Sequence, residues 1–142
     1  MEIAGSTSFI TGGASGLGAA TARHLASLGA RVGVLDRDVE RGSAIASEIG
    51  GVFAECDVSS AESLEAAFAH LVEQLGAPRI TVACAGVGAG KKVIGRNGPH
   101  PLDEFERIVN INLIGVFNIV RLAAWAMHDL DPVGPDGERG VI

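Results

Sequence analysis

Three features of the sequence predict an α/β fold built on a doubly wound parallel sheet. Short, near-continuously apolar runs alternate with stretches of helical periodicity; a glycine-rich turn joins the first run to the first helix; and Asp36 closes the second run. Parallel neighbours need crossover connections, and these are right-handed, so the alternation dictates three layers, α/β/α. With 142 residues, 47% hydrophobic and 20% charged, there is material for one such domain. Glycine accounts for 20 residues without a collagen period or a proline-rich bias, which places the glycines at turns rather than in a fibrous or disordered chain.

The first apolar stretch runs through Phe9 and Ile10 into Gly12, Gly13, Gly16 and Gly18, and a helical pattern through Ala20, Leu25 and Leu28 stops at Gly29. Val32 to Leu35 predicts a second strand, and Val39, Ile45 and Ile49 a second helix ended by Gly50 and Gly51. Val52 to Cys56 reads as a third strand. Ser59 and Glu62 have the spacing of a capping box, and Leu64, Phe68, Leu71, Val72 and Leu75 form a helical stripe up to Gly76 and Pro78. A fourth strand over Ile80 to Cys84 leads into a long glycine-rich loop, Gly86 to Pro101. Leu102 to about Asp129 then predicts one helix of ~40 Å at 1.5 Å per residue. A turn-rich stretch, DPVGPDGE, precedes Gly140, Val141 and Ile142, which read as the opening of a fifth strand. The expected unit is thus a single incomplete domain over residues 1–142, with an apolar sheet edge in need of a cover.

Eleven Lys and Arg against seventeen Asp and Glu give a net charge of -6, which argues against a general binder of nucleic acid or of anionic membranes. Cys56 and Cys84 are too few and too far apart for a disulfide framework or a zinc knuckle, and His24, His70, His100 and His128 lack ligand spacing, so no metal is expected. The N-terminus has no basic segment leading into a long apolar core, and Gly, Asn or a charge interrupts every apolar run before ~18 residues. The expectation is a soluble, cytoplasmic protein that meets a small-molecule substrate, with neither nucleic acid nor membrane as partner.

The segment Thr11-Gly12-Gly13-Ala14-Ser15-Gly16-Leu17-Gly18 lies between a strand and a helix, where backbone N–H groups and the helix N-terminus can hold a pyrophosphate. Gly12 suits the tight turn, Gly16 lets phosphates reach the backbone, and Gly18 lets the helix pack on the sheet. Asp36, eighteen residues past Gly18, stands where a carboxylate accepts hydrogen bonds from an adenosine ribose and repels a 2′-phosphate. This favours NAD over NADP, with the neighbouring Arg37 pulling the other way. A plain structural turn with a surface aspartate is the alternative.

Asn112 falls at four-residue spacing between Ile108 and Val116, on the helical face they share with Phe105 and Ile119. A buried amide there demands partners, since leaving it unsatisfied costs ~1–3 kcal/mol. It either bonds a backbone kink or water, or is a purely structural polar core residue. Lys91, Lys92 and Arg96 lie in the long loop on the carboxyl side of the sheet, where they could meet a phosphorylated substrate; solvated loop charges are the plainer reading. The long helix also carries Leu113, Phe117, Leu122 and Trp125, a face suited to a second copy of the chain.

The spacing Gly-x-x-x-Gly-x-Gly in TGGASGLG, with Asp36, Asp57-Val58, ACAG at 83–86 and NINLIG at 110–115, resembles the short-chain dehydrogenase/reductase family over essentially the whole chain. Within that family the CAG variant and the segment HPLDEFERIVNINLIGVFNIVRLAA are most similar to the type II 3-hydroxyacyl-CoA dehydrogenases, which also oxidise hydroxysteroids. The resemblance implies a Rossmann-type fold and an NAD-dependent oxidoreductase that moves hydride between NAD and a secondary alcohol or ketone. It implies Ser15 and Leu17 on the pyrophosphate and its neighbouring ribose, Asp36 on the adenosine ribose, Asp57 on the adenine amine, and Val58 packed on the ring. Cys84, Ala85 and Gly86 would line the cofactor site, although the family more often has Asn where Cys84 stands. Asn112 matches the family's asparagine that anchors a water in the proton relay to the catalytic lysine.

The family's remaining catalytic groups are a Ser and a Tyr-x-x-x-Lys pair, in which lysine lowers the tyrosine pKa. No Tyr occurs among the 142 residues. The expectation is therefore the N-terminal, NAD-binding part of such an enzyme, inactive by itself and assembled as a homo-oligomer through the Leu102–Asp129 helix. A noncatalytic dinucleotide-binding or interaction module is the alternative.

Overall fold

The computed structural model describes residues 1–142. Strands β1 (Thr7–Thr11), β2 (Arg31–Asp36), β3 (Val52–Glu55) and β4 (Ile80–Ala83) form one sheet in the order β3-β2-β1-β4, with every pair parallel. β1 is paired on both sides, Thr11 lying between Leu35 of β2 and Ala83 of β4, so these strands end together at one edge. The chain proceeds outward from β1 to β3 and then returns to the far side of β1. That reversal opens a crevice at the carboxyl ends of β1 and β4.

Alternation along the buried strands divides the core in two. Phe9 and Leu35 point to one face and join Leu64, Phe68, Leu71, Ile119, Ala123 and Met127 from α3 (Ala61–Leu75) and α5 (Val116–His128). Ile10, Val32 and Val34 point to the other and join Ala19, Ala22, Leu25, Ile45 and Ala46 from α1 (Gly16–Ser27) and α2 (Val39–Ile49). This is the three-layer, doubly wound arrangement the sequence predicts. In α1 the buried stripe is Ala19, Ala22 and Leu25; Ala20 and Leu28 are exposed, which corrects the expected phase.

The helix starts are read from their caps. Asp38 caps α2 by accepting the Arg41 N–H at 2.9 Å. Ser60, not Ser59, caps α3, accepting the Ser63 N–H at 3.2 Å, because Ser60 has the extended backbone that a cap requires. Ser59 instead donates its hydroxyl to Asp57, so the expected Ser59–Glu62 capping box is not formed.

The expected single long α-helix is interrupted. α4 (Leu102–Val109) passes into a π-helical turn, Asn110–Gly115, before α5. The wider turn breaks the four-residue face: Ile119 is buried, whereas Phe105 and Asn112 are exposed. The buried amide of this region is Asn118, 7% exposed, whose Oδ1 accepts from Arg121 Nε at 2.7 Å while Arg121 also pairs with Glu65 of α3. Leu113, Phe117 and Trp125 are exposed as expected, and Leu122 is half-buried. Leu102–His128 spans 27 residues, and its most apolar 18-residue stretch averages a hydropathy of 1.6, long and apolar enough by composition to cross a membrane. This departs from the expectation that Asn and charges would break every such run, because the average over the stretch outweighs its few polar residues. In this fold its inner face, Ile119, Ala123 and Met127, lies in the core against α3 and the sheet.

The glycine-rich loop after β4 contains a short antiparallel hairpin, β5 (Ile94–Gly95) with β6 (Gly98–Pro99), and is tied to α4 by the Lys91–Glu104 ion pair. On the free edge of β4 itself Val141 makes a parallel bridge to Ile80, donating its N–H to Arg79 O at 2.8 Å and accepting from Thr81 N at 3.0 Å. The reading of Gly140 to Ile142 as the start of another strand agrees with this pairing.

Candidate coenzyme site

The carboxyl ends of β1, β2 and β4 open onto a cleft of about 740 Å3. The structure brings together on its walls every residue the sequence reading assigned to a cofactor: Gly12, Ser15, Gly16, Leu17 and Gly18 from the first turn, Asp36 at the end of β2, Asp57 and Val58 after β3, and Cys84, Ala85 and Gly86 after β4. Arg37, also singled out in the sequence, lines it as well.

The turn between β1 and α1 is held close by its glycines. Gly12 has φ +68°, and a β-carbon there would meet the Ala85 nitrogen at 2.6 Å. On Gly18 a β-carbon would lie 2.1 Å from the Gly12 carbonyl oxygen. Ser15 enters α1 with extended backbone and no side-chain cap, and the first turn of the helix holds no acidic residue. Its leading N–H groups therefore have no side-chain partner, and the positive end of the helix dipole lies behind them.

Asp36 is fixed by two backbone donors: Oδ2 accepts from Ala14 N–H and Oδ1 from Asp38 N–H, both at 3.0 Å. It ties the glycine turn to the start of α2, and each oxygen keeps a lone pair for a further donor. Asp57 accepts the Ser59 hydroxyl at 2.6 Å and the Ser59 N–H at 2.9 Å, both on Oδ1. These bonds, helped by the Arg37 guanidinium, hold its carboxyl below the usual carboxylate range. Its Oδ2 has no partner within the chain and is an acceptor aimed by a fixed side chain.

Burial pushes the Cys56 thiol up to about 12, the Asp57 and Asp36 carboxylates adding to the effect. Burial raises the Cys84 thiol as well. Both cysteines line the cleft as neutral, small side chains and not as nucleophiles.

Asn112 does not line the cleft; its neighbour Ile111 does. The Asn112 amide is exposed rather than buried, and both its ends are engaged: Oδ1 accepts the Val87 N–H at 2.9 Å, and Nδ2 donates to the Val87 carbonyl at 2.7 Å. It straps the π-helical turn to the loop leaving β4. Lys91, Lys92 and Arg96 are exposed on that loop and stand off the cleft walls. Sequence reasoning missed Leu35, Asp38, Arg41, Cys56, Val87 and Ile111, which complete the lining. The Asp38–Arg41 pair had a readable signal, an aspartate directly before an apolar helical pattern with an arginine three residues on. Val87 and Ile111 had none, because their placement depends on the π-helical turn.

The family described as short chain dehydrogenase matches residues 6–142. The chain is similar to the 3-hydroxyacyl-CoA dehydrogenase type-2 of Drosophila melanogaster, 41% identical over 144 residues, covering 99% of this chain and 56% of that protein. It is 38% identical over 145 residues to the protein of the same name from Homo sapiens, covering 99% of this chain and 55% of the relative. Among solved structures, the 3-hydroxyacyl-CoA dehydrogenase type-2 from Mycobacterium avium superposes with a TM-score of 0.86 at 34% identity, over 96% of this chain and 55% of that one. A Serratia marcescens short-chain dehydrogenase/reductase superposes with a TM-score of 0.78 at 31% identity, over 91% of this chain and 54% of that one. The chain thus spans about half the length of the relatives it matches. A match over nearly every residue, on a parallel sheet whose crevice carries the glycine turn and its distant aspartate, places this chain in the short-chain dehydrogenase family.

Proposed function

We propose that this chain is the coenzyme-binding part of an NAD-dependent oxidoreductase acting on CH–OH groups, with a 3-hydroxyacyl-CoA, or a hydroxysteroid of similar reactivity, as substrate. The observation that carries the reading is the cleft itself, in which an uncapped helix start, a turn that only glycine fits and a fixed carboxylate stand along one wall. These residues fit a dinucleotide. The turn N–H groups and the start of α1 suit its pyrophosphate, Asp36 a ribose diol, and Asp57 Oδ2 an adenine amine, with Val58 and Leu17 as apolar neighbours. NAD, when bound, supplies the hydride acceptor and, in its reduced form, the donor.

The chain's own residues bind and orient. Asn112 holds the loop after β4 in place through both Val87 bonds, which fixes the wall where a substrate would enter. Proton exchange with the substrate needs an acid or base near neutral pH, and the 142 residues contain no Tyr for that role. The family's Ser and Tyr-Lys groups would then come from outside this sequence. The relatives, 3-hydroxyacyl-CoA dehydrogenases by name, support the acyl-CoA substrate class. Lys92 and Arg96, exposed beside the Lys91–Glu104 pair, give the loop beyond the cleft a positive charge suited to a CoA phosphate. Association through the exposed Leu113, Phe117 and Trp125 of the π turn and α5 completes the proposal.

Calorimetric titration of the chain with NAD tests the reading. Binding in the micromolar range, weakened about tenfold or more by Gly18→Ala and by Asp36→Ala, is the expected result; no heat of binding up to millimolar NAD would refute it.

A further inference from the structure

We propose that Asp38 is a specificity-determining residue of the coenzyme site: it withholds Arg41 from a 2′-phosphate, so that neutralising Asp38 admits NADP. The inference rests on the reading of the cleft as an NAD site and adds a second determinant beside Asp36. The junction of β2 and α2 sets Asp36, Arg37, Asp38 and Arg41 on one wall of the cleft. Asp38 commits both oxygens to one residue. Its Oδ1 accepts the Arg41 N–H at 2.9 Å, and its Oδ2 accepts Arg41 Nε at 2.7 Å.

The Arg41 guanidinium is thereby paired along its own helix, although its side chain is 66% exposed and has room to swing into the cleft. Asp36 takes its two hydrogen bonds from neutral backbone N–H groups and has no ion pair of its own, although its field also reaches Arg41. The adenosine end therefore sets Asp36, Asp38 and Asp57 against Arg37 and Arg41, one more negative charge than positive. Arg37 is already shared, since its field acts on both Asp38 and Asp57. A phosphate dianion meets net repulsion there. Without the Asp38 charge the wall becomes neutral and the guanidinium, which Asp38 holds by Nε, is freed to turn toward a ligand; it is the group that binds phosphate best and the type of residue that accommodates a 2′-phosphate in this fold.

Asp38→Asn separates this role from the structural one, because asparagine caps a helix as well as aspartate does and lacks only the charge. Wild type, Asp38→Asn and Asp38→Asn combined with Arg41→Ala are titrated calorimetrically with NAD and with NADP, and thermal melting followed by circular dichroism reports the fold. The expected result is about tenfold tighter NADP binding in Asp38→Asn and loss of that gain when Arg41 is also removed. An unmoved NADP affinity in folded Asp38→Asn, or a gain that survives Arg41→Ala, overturns the proposal. Should Asp38→Asn fail to fold, Asp38→Ser, another uncharged cap, gives the same readout. Wild type that binds neither coenzyme overturns the NAD reading itself; wild type that binds NAD while Asp38→Asn leaves NADP unmoved overturns this inference alone.

Discussion

Gly18→Ala is the sharpest perturbation available in the glycine turn. The added β-carbon would sit 2.1 Å from the Gly12 carbonyl oxygen and 2.7 Å from its carbon, where real β-carbons essentially never come within 3.0 Å. One of the two backbones must therefore yield by about an ångström. Gly12 has little freedom of its own, since Ala85 of the neighbouring loop approaches to 2.6 Å of where a Gly12 β-carbon would lie. Helix α1 must move instead, and it carries Ala19, Ala22 and Leu25 of the core with it. Overpacking of this kind costs ~1–3 kcal/mol. For a chain of 142 residues that is a fall in melting temperature of roughly 3–10 °C. Binding of NAD should weaken by about tenfold or more, because the displaced element carries the N–H groups at the helix start. Gly16→Ala is the control for stability alone. Its β-carbon meets no protein atom, so its cost to folding reduces to the left-handed backbone at φ +52°, ~1–2 kcal/mol, while its methyl group enters the cleft read as the phosphate site. Melting curves of both variants, with calorimetry on each, make the comparison. A Gly18→Ala protein that melts within a degree of wild type and binds NAD equally well would refute the close-approach argument.

Asp36→Ala removes the acceptor of the Ala14 and Asp38 N–H groups as well as the ribose partner; it should cost ~1–3 kcal/mol of stability and weaken NAD binding about tenfold or more, while discrimination against NADP falls. Unchanged melting together with unchanged affinities would count against both roles. Hydrogen bonds from Ser59 keep the folded Asp57 carboxyl below its ordinary range, so folding binds that proton less readily than the unfolded chain does. The stabilisation is complete above the ordinary carboxylate value of about 4 and is lost as the pH falls through the lower, folded value. Ser59→Ala should move the Asp57 carboxyl titration, followed by carbon NMR, upward; a fixed titration would contradict the assignment. At pH 8 a thiol pushed up to about 12 is ionised in only about one molecule in ten thousand, so Cys56 should resist iodoacetamide in the folded protein and react freely in denaturant. Rapid alkylation of the native chain, located by mass spectrometry, would disprove that burial.

Much of this architecture is written in local patterns. The apolar runs ending at Thr11, Leu35 and Ala83 define strands buried on two sides, and the glycines past them define the turns, so the cleft could be located from spacing alone. What stayed illegible depends on geometry that the residues do not encode locally. The π turn at Asn110–Gly115 shifts the phase of everything after it, which is why a helical wheel buried Asn112 and overlooked Asn118. Ser59 and Ser60 are chemically identical cap candidates, and only the backbone entering α3 decides between them. Asp36 could be read as a ligand acceptor from its position, but its two backbone bonds involve Ala14, twenty-two residues earlier, and Asp38, two later, and the first of these required the fold.

Those two bonds also mean that one carboxylate fastens the bend at the start of α1 and the entry to α2 to a common post. The surfaces meant for the two ends of a long ligand are then not independent patches that each visitor must assemble. A molecule bearing only the nucleoside half would find the opposite half already standing, and little ordering would remain to be done when the rest of it arrived.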